Sequence, residues 1–415
     1  MPKRDRALPL FVALVFALFL GFGFVADGPL AACLGFLRLQ FSPARLLSDY
    51  TALAGIGAAL VNAAMVGLLG FGLMKVNGIG ISGATIAALM TMMGFALFGK
   101  TVLNSLPIMI GVCISALIVG KRPREYTLIA MFGTGLGPVV SFVAFELGLD
   151  PVLAYPAAAG IGMVVGIILP PLAIAMLHLH QGYSLFNVGF TMGFIGLFAA
   201  SLSNAGGGDI RALYEWGKAV DPFLYLVVPL LGAAAIAFGF AFWGKTAWEQ
   251  FVKINSLSGR LPSDFTDMVG AGGTLLNAGI LALAYSGLVA LLGAPFNGPV
   301  IGGLMTLLGF SFFGVTPKNA FPVLAGLLAA ALLFGKPMTE SWVILAFLFG
   351  TALSPIAGEF GLGIGFLAGF LHLVIVERSG TWHGGMNLYN NGFAAGLTAT
   401  LIVSIVEWYR NSKDR

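Results

Sequence analysis

Charge is what this sequence has least of. Of 415 residues, 21 are Lys or Arg and 17 are Asp or Glu, together 9% of the chain. A soluble domain needs a denser charged surface than that, so a water-soluble class is excluded. Cysteine is nearly absent too. Cys33 and Cys113 lie far apart in apolar stretches, which excludes a disulfide scaffold and paired thiolate metal ligands. There is no His-Glu-x-x-His, no Gly-x-Ser-x-Gly and no P-loop, and no spacing of Ser, His and acid singles out a triad. Short dyad-alternating strands are missing as well, which excludes a β-barrel.

What fills the chain is hydrocarbon: 58% of it is hydrophobic. Apolar runs of about 20 residues, enough to cross a bilayer, recur along nearly the whole length. The expected class is an all-α polytopic membrane protein. Lys3, Arg4 and Arg6 precede the first run and mark it as an uncleaved helix with its start inside. The net charge of +4 sits in loops and reads as a cytoplasmic excess of Lys and Arg, not as a nucleic-acid surface.

The chain is also duplicated. Ser48-Asp49-Tyr50-Thr51 returns as Ser263-Asp264-Phe265-Thr266, a shift of 215. In that register Gly55 meets Gly270, Asn62 meets Asn277, Gly94-Phe95 meets Gly309-Phe310, and Phe98 meets Phe313. Asn104 meets Asn319 and Pro107 meets Pro322; beyond small insertions Pro138 meets Pro355 and Glu146 meets Glu359. Near the end of each half, Gly182-Tyr183-Ser184-Leu185-Phe186-Asn187-Val188-Gly189 is answered by Gly385-Met386-Asn387-Leu388-Tyr389-Asn390-Asn391-Gly392, with His180 on His383. Three domains of organisation follow: a first membrane repeat over 1–205, a water-exposed linker over 206–221 and a second repeat over 222–415.

Each half reads as seven apolar segments: roughly 9–26, 51–74, 79–98, 103–119, 127–145, 152–177 and 182–202, then 222–243, 266–290, 298–314, 319–334, 341–357, 361–376 and 384–406. An odd number inverts the second half relative to the first, an arrangement that in transporters puts the substrate site near the midplane. Full crossing places 14 Lys and Arg inside against 7 outside, with both termini cytoplasmic. Letting 79–98, 182–202 and their mates dip in and return gives 13 against 8, so charge does not choose the re-entrant segments.

Polar residues in such a setting are the candidate site. An unpaired amide in lipid costs several kcal/mol, roughly. Asn187, Asn390 and Asn391, with Tyr389, are expected to line a solute pathway or to tie helices together. Asn62 and Asn277 fall a dozen residues into their spans and read the same two ways. Asn104 and Asn319 sit where side chains cap a following helix. Phe95, Phe98, Phe310 and Phe313 read as an aromatic constriction or as core and lipid contacts. Glu146, Glu359, His180 and His383 are candidates for proton or cation coupling, against solvated loop ends and interfacial histidines. Ser48-Asp49 and Ser263-Asp264 read as ordinary helix caps. No metal or cofactor is expected.

Through Asn387-Leu388-Tyr389-Asn390-Asn391-Gly392-Phe393 and its earlier copy, the chain resembles over essentially its whole length a family of bacterial integral membrane proteins of unknown function. At Tyr389-Asn390 with Gly392 it also resembles urea transporters, which have two inverted halves, each ending in a Tyr-Asn-Gly segment. Their Leu-Pro-x-x-Thr-x-Pro-Phe motif is not reproduced at Leu106-Pro107 or Phe321-Pro322. That resemblance implies the inverted layout and a homo-oligomer. The expected function is a bacterial inner-membrane transporter or channel for a small polar solute, neutral or cationic, because few cations fall at membrane depth. The rival expectations are an intramembrane enzyme on a lipid or headgroup, and a scaffold subunit of a membrane complex.

Overall fold

The computed structural model describes residues 3–207, 210, 214–218 and 221–413. Linker residues Asp209 and Arg211 lie outside the described residues. The first half contributes α1 (Ala7–Asp27), α2 (Pro29–Gln40), α3 (Tyr50–Ala54), α4 (Ile56–Val76), α5 (Gly83–Phe95), α6 (Val102–Ile118), α7 (Thr127–Gly133), α8 (Gly137–Phe145), α9 (Pro151–His180) and α10 (Asn187–Ala205). The second half contributes α11 (Pro222–Trp243), α12 (Lys245–Ile254), α13 (Phe265–Met268), α14 (Ala271–Leu291), α15 (Gly298–Phe310), α16 (Pro317–Leu333), α17 (Ser341–Phe349), α18 (Ser354–Phe360), α19 (Leu362–Trp382) and α20 (Asn390–Lys413). The described residues form no β-strand beyond one isolated bridge.

Among the described residues ten stretches are long and apolar enough to cross a membrane: α1, α4, Pro123–Phe145, α9 and α10, and in the second half α11, α14, Ser341–Phe360, α19 and α20. The fifth apolar segment of each half is a helix pair broken near Pro138 or Pro355, where proline removes a ladder donor. The outward surface is apolar, with Leu30, Val164, Leu202 and Phe321 exposed, as a hydrocarbon solvent requires.

The two remaining segments of each half are the short ones. The 13 residues of α5 rise about 20 Å, less than the roughly 30 Å of hydrocarbon. The chain then turns through a non-helical break at residues 96–101 and returns as α6. Asn77, at the end of α4, donates to Thr127 Oγ1 beyond the end of α6 at 2.9 Å, so the hairpin enters and leaves at one end of the bundle. Hence the short pair is 79–98 with 103–119 and their mates. The 182–202 segment is not the partner dip considered from charge, since α10 is 19 residues long and apolar enough to cross. The sequence also gave no sign of α2 and α12. Both are too short for a span, and α12 carries Lys245, Glu249 and Lys253 among its apolar residues, as an interfacial helix does.

Equivalent helices of the two halves meet antiparallel. Along α5 and α15, Gly94 packs on Gly302 and Gly309 on Ala87. A Cβ at Gly94 would lie 2.7 Å from the Gly302 carbonyl oxygen, so only glycine admits this approach. Where α10 and α20 cross, Gly193 lies on Phe393 and Gly396 on Phe190. Along α1 and α11, Phe22 meets Phe223 at one end while Arg4 Nε donates to the Phe242 carbonyl at the other. Three such pairs fix the relation: the halves are inverted. Both described ends of the chain share one face, because Gln181 links to Glu407 and Arg260 to Gln181, near the loop that follows α12.

Candidate functional site

The asparagine segments build one brace twice. A left-handed glycine, Gly182 (φ 82°) or Gly385 (φ 75°), turns the chain between the preceding helix and α10 or α20. That turn brings a histidine within reach of an asparagine seven residues on. His180 Nε2 lies 2.9 Å from Asn187 Oδ1, and His383 Nε2 lies 3.0 Å from Asn390 Oδ1. The amides are oriented by their other ends, since Asn187 Nδ2 donates to the Ala173 carbonyl at 3.0 Å and Asn390 Nδ2 to the Val376 carbonyl at 3.4 Å. With Oδ1 facing the ring, Nε2 carries the proton in both histidines. Asn391 repeats the contact with His372 at 3.1 Å, a residue the sequence did not single out.

Four more asparagines hold the hairpin tips. A break at membrane depth strips carbonyls of their helical partners, and they must be paired within the protein. Asn62 Nδ2 donates to the carbonyls of Ala96 (2.7 Å) and Lys100 (2.8 Å), while its Oδ1 accepts from Gln40 at 3.0 Å. Asn277 Nδ2 does the same for Ser311 and Val315, both at 2.7 Å. Asn104 and Asn319 close capping boxes with Thr101 and Thr316, and each also donates to a tip carbonyl, Gly99 or Gly314, at 2.9 Å.

The aspartates do more than cap their own helices. Asp49 Oδ1 accepts from Thr51 N at 3.0 Å and also from Gly298 N at 3.2 Å, at the start of the other half's α15. Asp264 reciprocates, accepting from Gly83 N at 3.2 Å and Ala84 N at 3.0 Å at the start of α5. Each half therefore places a carboxylate on the positive end of the other half's entering helix. Their matched positions in the duplication were the signal; which helix they cap is set by tertiary structure. Among the described residues, the linker joins in on one face only. Glu215 pairs with Leu47 and Asp49 through the backbone, and Gly217 N donates to Asp49 Oδ2 at 3.0 Å.

At the pseudo-two-fold the aromatic residues converge. Phe95 stacks on Tyr389 (centroids 4.1 Å apart, planes 4° apart), and the mate pair Phe310 and Phe186 meets edge-on at 4.7 Å. Phe349 touches Phe95 and Phe186, Phe98 packs on Phe95, and half-buried Phe313 packs on Phe310. Lys100 lies in this cluster, fully buried. The carboxylates proposed for coupling lie elsewhere. Glu146 pairs with buried Arg45, and Glu359 is exposed near Tyr183. Among the described residues no group of three His, Cys, Asp or Glu is placed to hold a metal.

The fold and this doubly braced interface define a polytopic all-α membrane protein made of two inverted halves. The chain belongs to the family described as "Protein of unknown function (DUF1576)", whose profile matches residues 29–205 and 243–408, one region in each half. No curated protein and no solved structure gives a match. Nothing in these comparisons extends the resemblance to urea transporters beyond Tyr389, Asn390, Gly392 and general layout.

Proposed function

We propose that the protein carries a small polar solute across a bacterial inner membrane, along the interface where the hairpin of each half meets the final helix of the other. The observation that carries this reading is the reciprocal capping by Asp49 and Asp264 of broken hairpins lying antiparallel at the two-fold. Inverted halves with interrupted helices give two equivalent packings that exchange access between faces. The amides and histidines of the braces fix the final helix within each half, and the aromatic cluster occludes the centre of the interface. Both termini are cytoplasmic by the excess of basic residues in the loops on their side. Purified protein in liposomes, screened for uptake of urea, amides, ammonium, alkali cations and small anions, tests the proposal. Saturable uptake of one class above protein-free liposomes is expected. No flux of any solute through protein shown to be folded removes the reading in favour of a scaffold.

A further inference from the structure

Lys100 breaks the symmetry of the site. Its mate at the 215-residue shift is Val315, and the mate of Tyr389 is Phe186. So the first half's hairpin tip and the second half's final helix bring a polar pair together where the equivalent pair is wholly apolar. Neither Lys100 Nζ nor Tyr389 Oη hydrogen-bonds to any described protein atom, although exposure is 0% and 2%. Symmetric packing would be satisfied by valine and phenylalanine. A buried amine with no partner inside a membrane span is costly and marks a function.

The geometry says what that amine waits for. Lys100 Nζ lies 5.3 Å from the Phe95 ring centre and 5.5 Å from that of Tyr389, and those two rings are stacked 4.1 Å apart. Both are cation–π distances, so the rings attract the amine weakly but give it no hydrogen bond and no counter-charge. The surrounding backbone adds positive potential. Lys100 stands two residues before α6, and Tyr389 stands directly before α20, so two helix N-termini converge here. The entering helices α5 and α15 have carboxylate caps, but the amides of Val102 and Leu103 in α6 are taken by the neutral Gln40. No carboxylate among the described ion pairs neutralises the amine.

We propose that Lys100 is the centre of a small-anion site, in which its amine, protonated as the anion enters, and the Tyr389 phenol hold a compact monovalent anion such as a halide, nitrate or short carboxylate beside the positive N-terminal end of α20. The passage of that anion rests on the transport reading above; its binding is tested separately. Thermal unfolding of the purified full chain in detergent is followed in potassium chloride, nitrate and formate against potassium gluconate at equal ionic strength. At least one small anion raises the midpoint of the wild type saturably. Lys100→Met abolishes that response while unfolding at the same or a higher temperature in gluconate, since it removes a buried amine that has no hydrogen-bond partner. Tyr389→Phe keeps the ring stack and weakens the response severalfold, which reads the site even if the lysine variant misfolds. Wild type indifferent to all three anions overturns the proposal, as does a Lys100→Met or Tyr389→Phe protein responding like wild type. Anion stabilisation without flux in liposomes would retain the site and remove the transport reading. Uptake of urea or ammonium without any anion response would do the reverse.

Discussion

At the scale of single residues, buried asparagine is the structural currency of this protein. An amide side chain offers two donors and an acceptor on a short, stiff stem, which suits carbonyls exposed by a broken helix. Asn62 meets two such carbonyls and Asn277 two more. Replacing either with leucine leaves both unpaired at membrane depth, at about 1–3 kcal/mol each. Asn62→Leu is therefore expected to lower the unfolding midpoint in detergent clearly, and Asn277→Leu by a similar amount. A change within experimental scatter for both would mean that the tips find other partners. The sequence placed these amides mid-span and weighed pathway against helix tie. It could not weigh Lys100, because a lysine between glycine and threonine at a segment end looks like a loop residue. Lys100 is covered in part by Tyr389, and its neighbour Gly99 by Leu388, nearly three hundred positions away in the chain.

At the scale of elements, glycine register decides which helices touch. The glycines matched by the duplication were legible in the sequence; that Gly94 faces Gly302 instead of its own mate Gly309 was not. Antiparallel pairing of α5 with α15 produces that crossed match. Gly302→Val would press a branched side chain onto Phe98 and the Gly94 backbone, whose atoms lie 2.5 Å and 2.6 Å from the added Cβ. Such overpacking costs about 1–3 kcal/mol or more. The expected outcome is loss of monodisperse protein on size exclusion. By contrast, Gly287→Val, where nothing lies within 4 Å, is expected to behave as wild type. The seven segments per half were legible because apolar runs are long. The helices α2 and α12 were not, since ten or twelve residues beside a span carry too little periodicity to separate from a loop.

At the scale of the whole molecule, inversion follows from an odd number of crossings, and parity survives any error in segment ends. The same parity puts both termini on one face. Single cysteines at Arg4 and Ser412, in a background with Cys33 and Cys113 replaced, are expected to be shielded together from an impermeant maleimide in intact cells and labelled together after permeabilisation. Labelling of one without the other would refute the two-fold relation between the halves.

The linker gives this symmetric frame a handedness in time. Glu215 and Gly217 are stitched to Leu47 and Asp49 beside the start of α15, while Asp264 beside the start of α5 has no such neighbour among the described residues. Parting the bundle on the stitched face must first peel this ribbon away; parting it on the other face need not. Under the transport reading proposed above, the stitched door would be the slower of the two to open. Trp216, set in the ribbon, is a built-in fluorophore for watching the slower door move.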